Sequence, residues 1–373
     1  VPAMNAAEAS YASGVTVFPI RTLNELLGHL NGRKPLTPCA PPPRPEPQDD
    51  ALDFAHVLGQ HAVKRALEIA AAGGHNVLLS GPPGSGKSMA AKRFSTILPP
   101  LSDSERLEVI RVWSAIGRGQ EAVERAERPF RAPHHNSSAN AMAGGSGAAG
   151  RLPVPGEITL AHRGVLFLDE LPEFARETVE ALRQPLEEGA VHLVRLGGSY
   201  VYPADFMLVA AMNPCPCGYY PDMQKCRCTQ TAIHRYLERI SQPILDRIDI
   251  CVEAPALTFG ELTGQQKEET SAAIQKRVAV AQDIQRERYR KEGFSYNSQI
   301  PATKIREYCA LDKKQEQYME EIYGKLQLTA RSYHKLLRVA RTLADMDGGD
   351  RICDRHLEEA ICYRSFDRKF WER

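Results

Sequence analysis

No run of the 373 residues is long and apolar enough to cross a bilayer. No basic start with an apolar stretch and small-residue cleavage site marks the chain for export. A membrane partner is therefore not expected, and the expected compartment is the cytoplasm. Charge of one sign is also not in excess: 47 Lys and Arg stand against 46 Asp and Glu, a formal net charge of +1. That excludes a chain-wide basic footprint for nucleic acid, so any such contact has to be local. Nine cysteines without an export signal do not suggest a disulfide frame and read as reduced thiols or metal ligands. The chain begins at Val1 rather than an initiator methionine, as expected for a piece of something longer.

What is present is ordinary globular composition, 43% hydrophobic and 25% charged, at a length that suits two or three domains. Residues 1–31 carry an alternating stretch, Gly14–Ile20, and a helix pattern, Leu23–Leu30. Thr22 stands at the N-cap with Glu25 at capping-box spacing. Seven prolines between Asn31 and Asp50 predict an exposed, semi-rigid linker over 32–51. Residues 52–256 alternate helix and strand patterns: helix Gln60–Ala72 stopped at Gly73-Gly74, strand Asn76–Ser80, helix Lys87–Ile97, and strands Gly164–Leu168 and Phe206–Met212. This predicts an α/β fold, a parallel sheet with helices on both faces. Beyond Pro255 strand signals fade. Helix patterns at Ser271–Lys291, Lys304–Ala310, Lys313–Leu326, Arg331–Met346 and Asp354–Arg364 make 257–373 an all-helical domain.

Gly81-Pro82-Pro83-Gly84-Ser85-Gly86-Lys87-Ser88 fits G-x-x-x-x-G-K-[ST], directly after a strand and opening a helix. Glycines let backbone N–H groups close around phosphate oxygens, and the helix N-terminus adds its positive end. Lys87 would reach the β- and γ-phosphates and Ser88 would ligate Mg²⁺; Met89 follows as a further nucleotide contact. The strand Gly164–Leu168 ends in Asp169 and Glu170. Asp169 is expected at the Mg²⁺ hydration shell, and Glu170 as the group that polarises the attacking water, which favours an NTP hydrolase over a small-molecule kinase. Asn213 ends a further apolar strand, where its amide either orients that water or is an ordinary turn residue before Pro214.

Phosphate loop, Asp-Glu strand, Asn-ended strand, Leu245-Asp-Arg247-Ile-Asp249 and a helical domain follow the order of AAA+ ATPases. Arg128-Pro-Phe-Arg-Ala-Pro-His-His135, Pro155-Gly-Glu-Ile158, Leu171-Pro-Glu-Phe174 and Asn213-Pro-Cys-Pro-Cys-Gly218 resemble the magnesium-chelatase-like ATPases of the competence (ComM) type, over residues 52–373. Residues 1–31 look like the end of the Lon-protease-like domain that precedes the ATPase in that family, and 257–373 like its helical lid. The resemblance implies sensor 1 at Asn213, an arginine finger at Arg247 offered to a neighbouring subunit, and sensor 2 at Arg331, acting on its own or the next nucleotide. It also places Val57 and Leu58 of Val57-Leu-Gly-Gln60 near adenine. From its residue type alone, Arg247 would read as a solvated or salt-bridged side chain.

About 80 residues separate Ser88 from Asp169, and the stretch Ala139–Gly150 is rich in glycine and alanine. It is either a surface loop or, by resemblance, an insertion that projects toward a ring pore. Val191–Tyr202, joined by Gly197-Gly198, predicts a hairpin with Arg195 near its tip, either solvated or touching a DNA backbone. Cys215-x-Cys217 and Cys226-x-Cys228, eight residues apart, offer four thiolates for structural Zn²⁺, a redox-labile or disulfide cluster, or free thiols. The family likeness implies an ATP-driven, Mg²⁺-dependent homo-oligomeric ring that migrates branches on DNA. Alternatives are a chelatase motor subunit that helps insert Mg²⁺ into a porphyrin, and a nucleotide-controlled assembly switch.

Overall fold

Short apolar runs buried on both faces set the architecture. In chain order the strands are Val77–Ser80 (β1), Phe130–Arg131 (β2), Gly144–Gly145 (β3), Val154–Pro155 (β4), Val165–Leu168 (β5), Ala190–Arg195 (β6), Gly198–Pro203 (β7), Met207–Met212 (β8) and Ile250–Glu253 (β9). The structure is a computed structural model that describes all residues except 13, 43–51, 126, 146–152, 196–197, 264–267 and 365–373. Strands β2, β5, β8, β1 and β9 form one parallel sheet in that order. Val77, Leu79, Val165, Phe167, Val209 and Ala211 enter a core shared with the helix His61–Gly73. Leu78, Leu166, Leu168, Leu208 and Ala210 enter the core on the other face. Burial on both faces explains why these strands read as continuous apolar runs. The sheet, its flanking helices and the helical region that follows make this an AAA+ fold.

Strand β9 was not predicted. Its four residues follow the charged stretch Asp246–Asp249 and are too few to carry a period of their own. The helix after the phosphate loop is α-helical only over Lys87–Arg93 and tightens to a 3-10 turn at Phe94–Ile97. In the C-terminal region the helices are Ser271–Arg288, Lys313–Lys325, Ala330–Met346 and Asp354–Cys362; the expected Lys304–Ala310 helix shrinks to Ile305–Tyr308. This region is fastened to the sheet domain by side-chain amides: Gln282 and Gln285 donate to the carbonyls of Ala71 and Ala72 at 2.8 and 2.9 Å. Fully buried Asp345 is satisfied by Arg288 (2.6 Å), Arg341 (2.9 Å) and Asn297 (2.8 Å).

At the N-terminus, the helix Leu23–Leu30 forms as predicted, and the Thr22 hydroxyl accepts the Glu25 N–H at 3.3 Å. The reciprocal half of the capping box is not made, because the Glu25 carboxylate takes the Arg21 N–H at 2.9 Å. Gly14–Ile20 is not a strand; isolated bridges join Val17 to Cys39 and Ile20 to Pro2. The insertion is not a loop where it is described. Ala139–Ala143 is a helix with Met142 fully buried, and Gly144–Gly145 pairs antiparallel with Val154–Pro155. The predicted hairpin forms between β6 and β7. Residues 146–150 of the insertion, 43–51 of the linker, the hairpin tip at 196–197 and the Arg195 side chain lie outside the described residues.

Candidate functional site

Because β1, β5 and β8 run parallel, their carboxyl ends open on one edge. The phosphate loop follows β1, Asp169 and Glu170 follow β5, and Asn213 follows β8. Gly84 and Gly86 hold φ of 77° and 86°, a left-handed conformation that curls successive N–H groups toward a common point. A Cβ at either position would meet nothing within 4 Å, so the space beside both glycines is open. Lys87 is buried, and its ammonium donates to the carbonyls of Gly81 (2.7 Å) and Pro82 (2.8 Å) and to Asn213 Oδ1 (3.3 Å). Burial lowers its pKa, and the charges of Asp169 and Glu170 pull it part of the way back. The Ser88 hydroxyl donates to Asp169 Oδ2 at 2.6 Å.

Glu170 has φ 55°, an uncommon conformation for a residue with a Cβ, costing roughly 1 kcal/mol or more. It turns the side chain out of the sheet, where it is half exposed with His135 Nδ1 3.4 Å from Oε2. His135 in turn packs at a tilt against His134 (4.1 Å between ring centroids) and lies T-shaped to Phe174. The motif that contains His135 carried part of the family likeness, but nothing in its spacing pointed to Glu170. On the far side of the loop, Val57 is buried. Leu58, Gly59 and His61 line a cavity of about 340 Å³ with Thr258, Gly260, Glu261 and Glu268. Gln60, the last residue of that segment, joins it to the phosphate loop by donating to Ser85 O (2.9 Å) and also donates to Pro255 O (2.6 Å). Met89 is half exposed on the loop's helix.

Two of the predicted residues are not at this edge. Arg247 donates to the carbonyls of Arg183 (3.1 Å) and Pro243 (2.6 Å) and pairs with Glu187. Its own carbonyl accepts from the Asn76 side chain at 2.9 Å, which places it at the entrance of β1, a full strand away from the loop that β1 leads into. Arg331 is 68% exposed and 3.8 Å from Asp246. Both border a cavity of about 730 Å³ whose lining includes Lys335 and Arg338. Asp249, also in its lining, is buried, accepting from the Asn76 N–H (3.2 Å) with the Lys335 ammonium 3.6 Å away. Burial works against its ionised form, but Lys335 and His75 beside it hold the carboxyl well below the usual range. Burial likewise brings Lys335 down to about 8, against the pull of Asp249.

The sulfurs of Cys215, Cys217, Cys226 and Cys228 lie within 4.8 Å of one another. None of the four is disulfide-bonded, and Cys215 lies 3.4 Å from Cys217 and 3.8 Å from Cys226.

The carboxyl edge suits a magnesium nucleotide. Its donor set is the hydroxyl and carboxylate oxygen that a hard cation takes, side by side at 2.6 Å, and the glycine cradle beside a buried ammonium suits phosphate. Among the described residues, no helix is long and apolar enough to cross a membrane. Residues 53–262 match the family described as magnesium chelatase, subunit ChlI, and residues 268–364 match the C-terminal part of that subunit. The chain is 44% identical over 370 residues to YifB of Salmonella typhimurium, a protein described as uncharacterized, covering 98% of this chain and 70% of that one. It is 42% identical over 371 residues to competence protein ComM of Haemophilus influenzae, covering 98% and 71%. A shorter match, 30% over 177 residues, joins 44% of this chain to 23% of the magnesium-chelatase 67 kDa subunit of Chlorobaculum parvum.

Proposed function

The chain belongs to the magnesium chelatase ChlI family of AAA+ proteins, and from that premise we propose that it hydrolyses ATP as one subunit of a ring that acts on DNA. The observation that carries the hydrolytic reading is the convergence of Lys87, Ser88, Asp169, Glu170 and Asn213 on one sheet edge around an open glycine cradle. The loop N–H groups bind the β- and γ-phosphates, and Lys87 exchanges its backbone carbonyls for phosphate oxygens. Ser88 and Asp169 would hold Mg²⁺, which when bound supplies positive charge beside the phosphate oxygens. Glu170 orients a water for in-line attack and accepts its proton as the bond between the γ-phosphorus and the bridging oxygen breaks and ADP leaves. His135 steadies Glu170, and Asn213, held by Lys87, faces the γ-phosphate.

Arg247 and Arg331 serve the nucleotide of a neighbouring subunit in this reading. A four-residue strand is about 13 Å long, so the sheet keeps both guanidiniums away from the phosphate loop of their own chain. A ring that sets the amino edge of one sheet against the carboxyl edge of the next supplies the missing positive charge.

The DNA reading is supported by the likeness to competence protein ComM, which runs along nearly the whole chain. Assistance to metal insertion into a porphyrin is the second reading, favoured by the family's description and by the shorter Chlorobaculum match. ATP turnover measured with and without branched DNA, at two salt concentrations, separates the readings. Stimulation by DNA that fades with salt supports the first, since phosphate contacts are salt-sensitive. Turnover indifferent to DNA at low salt removes it, and ATP binding without turnover leaves only an assembly switch.

A further inference from the structure

The four-cysteine cluster has the dimensions of an ion site. Zn–S bonds of about 2.3 Å put the sulfurs of a tetrahedral site about 3.8 Å apart. Separations of 3.4, 3.6 and 3.8 Å join Cys215, Cys217 and Cys226, and Cys228 completes the set within 4.8 Å. Cys215 and Cys226 are buried. The Tyr220 N–H donates to the Cys215 sulfur at 3.4 Å. Such a donor fixes the direction of a thiolate ligand around a metal. Thiols alone make weak hydrogen bonds, a poor means of closing a turn-rich segment from 215 to 228 that has no strand of its own.

This segment is joined to the nucleotide edge at two points. Cys215 lies two residues after Asn213, whose side chain accepts from Lys87. Gly218, at φ 86°, rests against the phosphate loop so closely that a Cβ there would lie 2.4 Å from Pro83 Cδ.

We propose that Cys215, Cys217, Cys226 and Cys228 bind one Zn²⁺, and that the closed knuckle holds Asn213 and the back of the phosphate loop in place. The metal site stands apart from the nucleotide reading, whereas the bracing role rests on it. Chain purified under reducing conditions without chelator should carry one zinc per molecule by mass spectrometry of metals. Refolded with Co²⁺ it should show the visible bands of a tetrahedral cobalt thiolate, and Cys226→Ser/Cys228→Ser should show neither property. Zinc well below one per chain, together with no cobalt bands in the unsubstituted protein, overturns the site. Gly218→Ala keeps all four ligands and tests the brace without removing the ion. It should retain its zinc while binding MgATP at least about fivefold more weakly, the low end for overpacking a tight contact. Full zinc with unchanged MgATP affinity in this variant overturns the brace. Full zinc in a chain that binds no ATP supports the metal site and refutes the nucleotide reading, so the two failures are distinguishable.

Discussion

The two edges of one parallel sheet carry different sets of polar side chains. At the carboxyl edge a lysine, a hydroxyl, two carboxylates and an amide face an open cradle. At the amino edge Arg247, Arg331, Lys335 and Arg338 border a second hollow with no phosphate loop near it. In the proposed reading the carboxyl edge holds the nucleotide, and the amino edge supplies the guanidiniums that meet charge developing on a neighbour's γ-phosphate. In the proposed ring the sheet works as a spacer, and the site it completes lies between copies. That arrangement has a cost: Arg247 is engaged by Glu187 and two carbonyls, so docking on a neighbour has to replace those contacts.

The strongest way to break this comparison is to remove the arginine. Arg247→Ala is expected to lower turnover by about 10³–10⁵, the range for an arginine finger, with ATP affinity little changed. Mixed with Lys87→Ala subunits, which bind no nucleotide, it should regain part of the activity, because some interfaces then combine an intact loop with an intact arginine. Absence of rescue at every mixing ratio contradicts a shared site. Glu170→Gln acts on the other edge and should cost about 10²–10⁴ in turnover while ATP stays bound, measured by single-turnover hydrolysis against equilibrium binding.

Asp249 tests whether the amino edge is a built platform. Its folded pKa lies below the 3.8 of an ordinary aspartate, so its ion pair adds stability at neutral pH that is lost as the pH falls below about 4. Lys335 runs the opposite way: its folded value of about 8 is below the ordinary 10.5, so the penalty for burying its charge is present below about pH 8 and relaxes as the pH rises toward 10.5. Asp249→Asn leaves Lys335 buried without its counter-charge, at an expected loss of about 3–5 kcal/mol at pH 7 by denaturant unfolding. A variant as stable as the parent, with the same acid limb, would remove Asp249 from the platform.

The carboxyl edge was legible in the sequence and the amino edge was not, for a physical reason. Loop, carboxylates and Asn213 each follow an apolar strand directly, so parallel pairing alone brings them together. The paired C-x-C spacing likewise located the cysteine cluster. Arg247 and Arg331 came only from the family likeness; their distance from the loop depends on β9, whose four residues carry no period. His135 lies 35 residues before Glu170, and their approach depends on β2 and β5 pairing side by side, with β2 too short to announce itself.

That approach gives the smallest expected effect and the finest test of the carboxyl edge. The His135–Glu170 contact, 3.4 Å long and partly exposed, belongs with pairs worth up to about 1 kcal/mol, so its loss should lower turnover roughly threefold to fivefold. His135→Phe keeps a ring to pack against His134 and Phe174 but removes the nitrogen; His135→Asn keeps a donor and loses the ring. If the histidine positions Glu170, the asparagine variant recovers more of the single-turnover rate than the phenylalanine variant, with KM for ATP unchanged in both. The reverse order would mean that the ring acts by packing, and that Glu170 is held by its left-handed backbone alone.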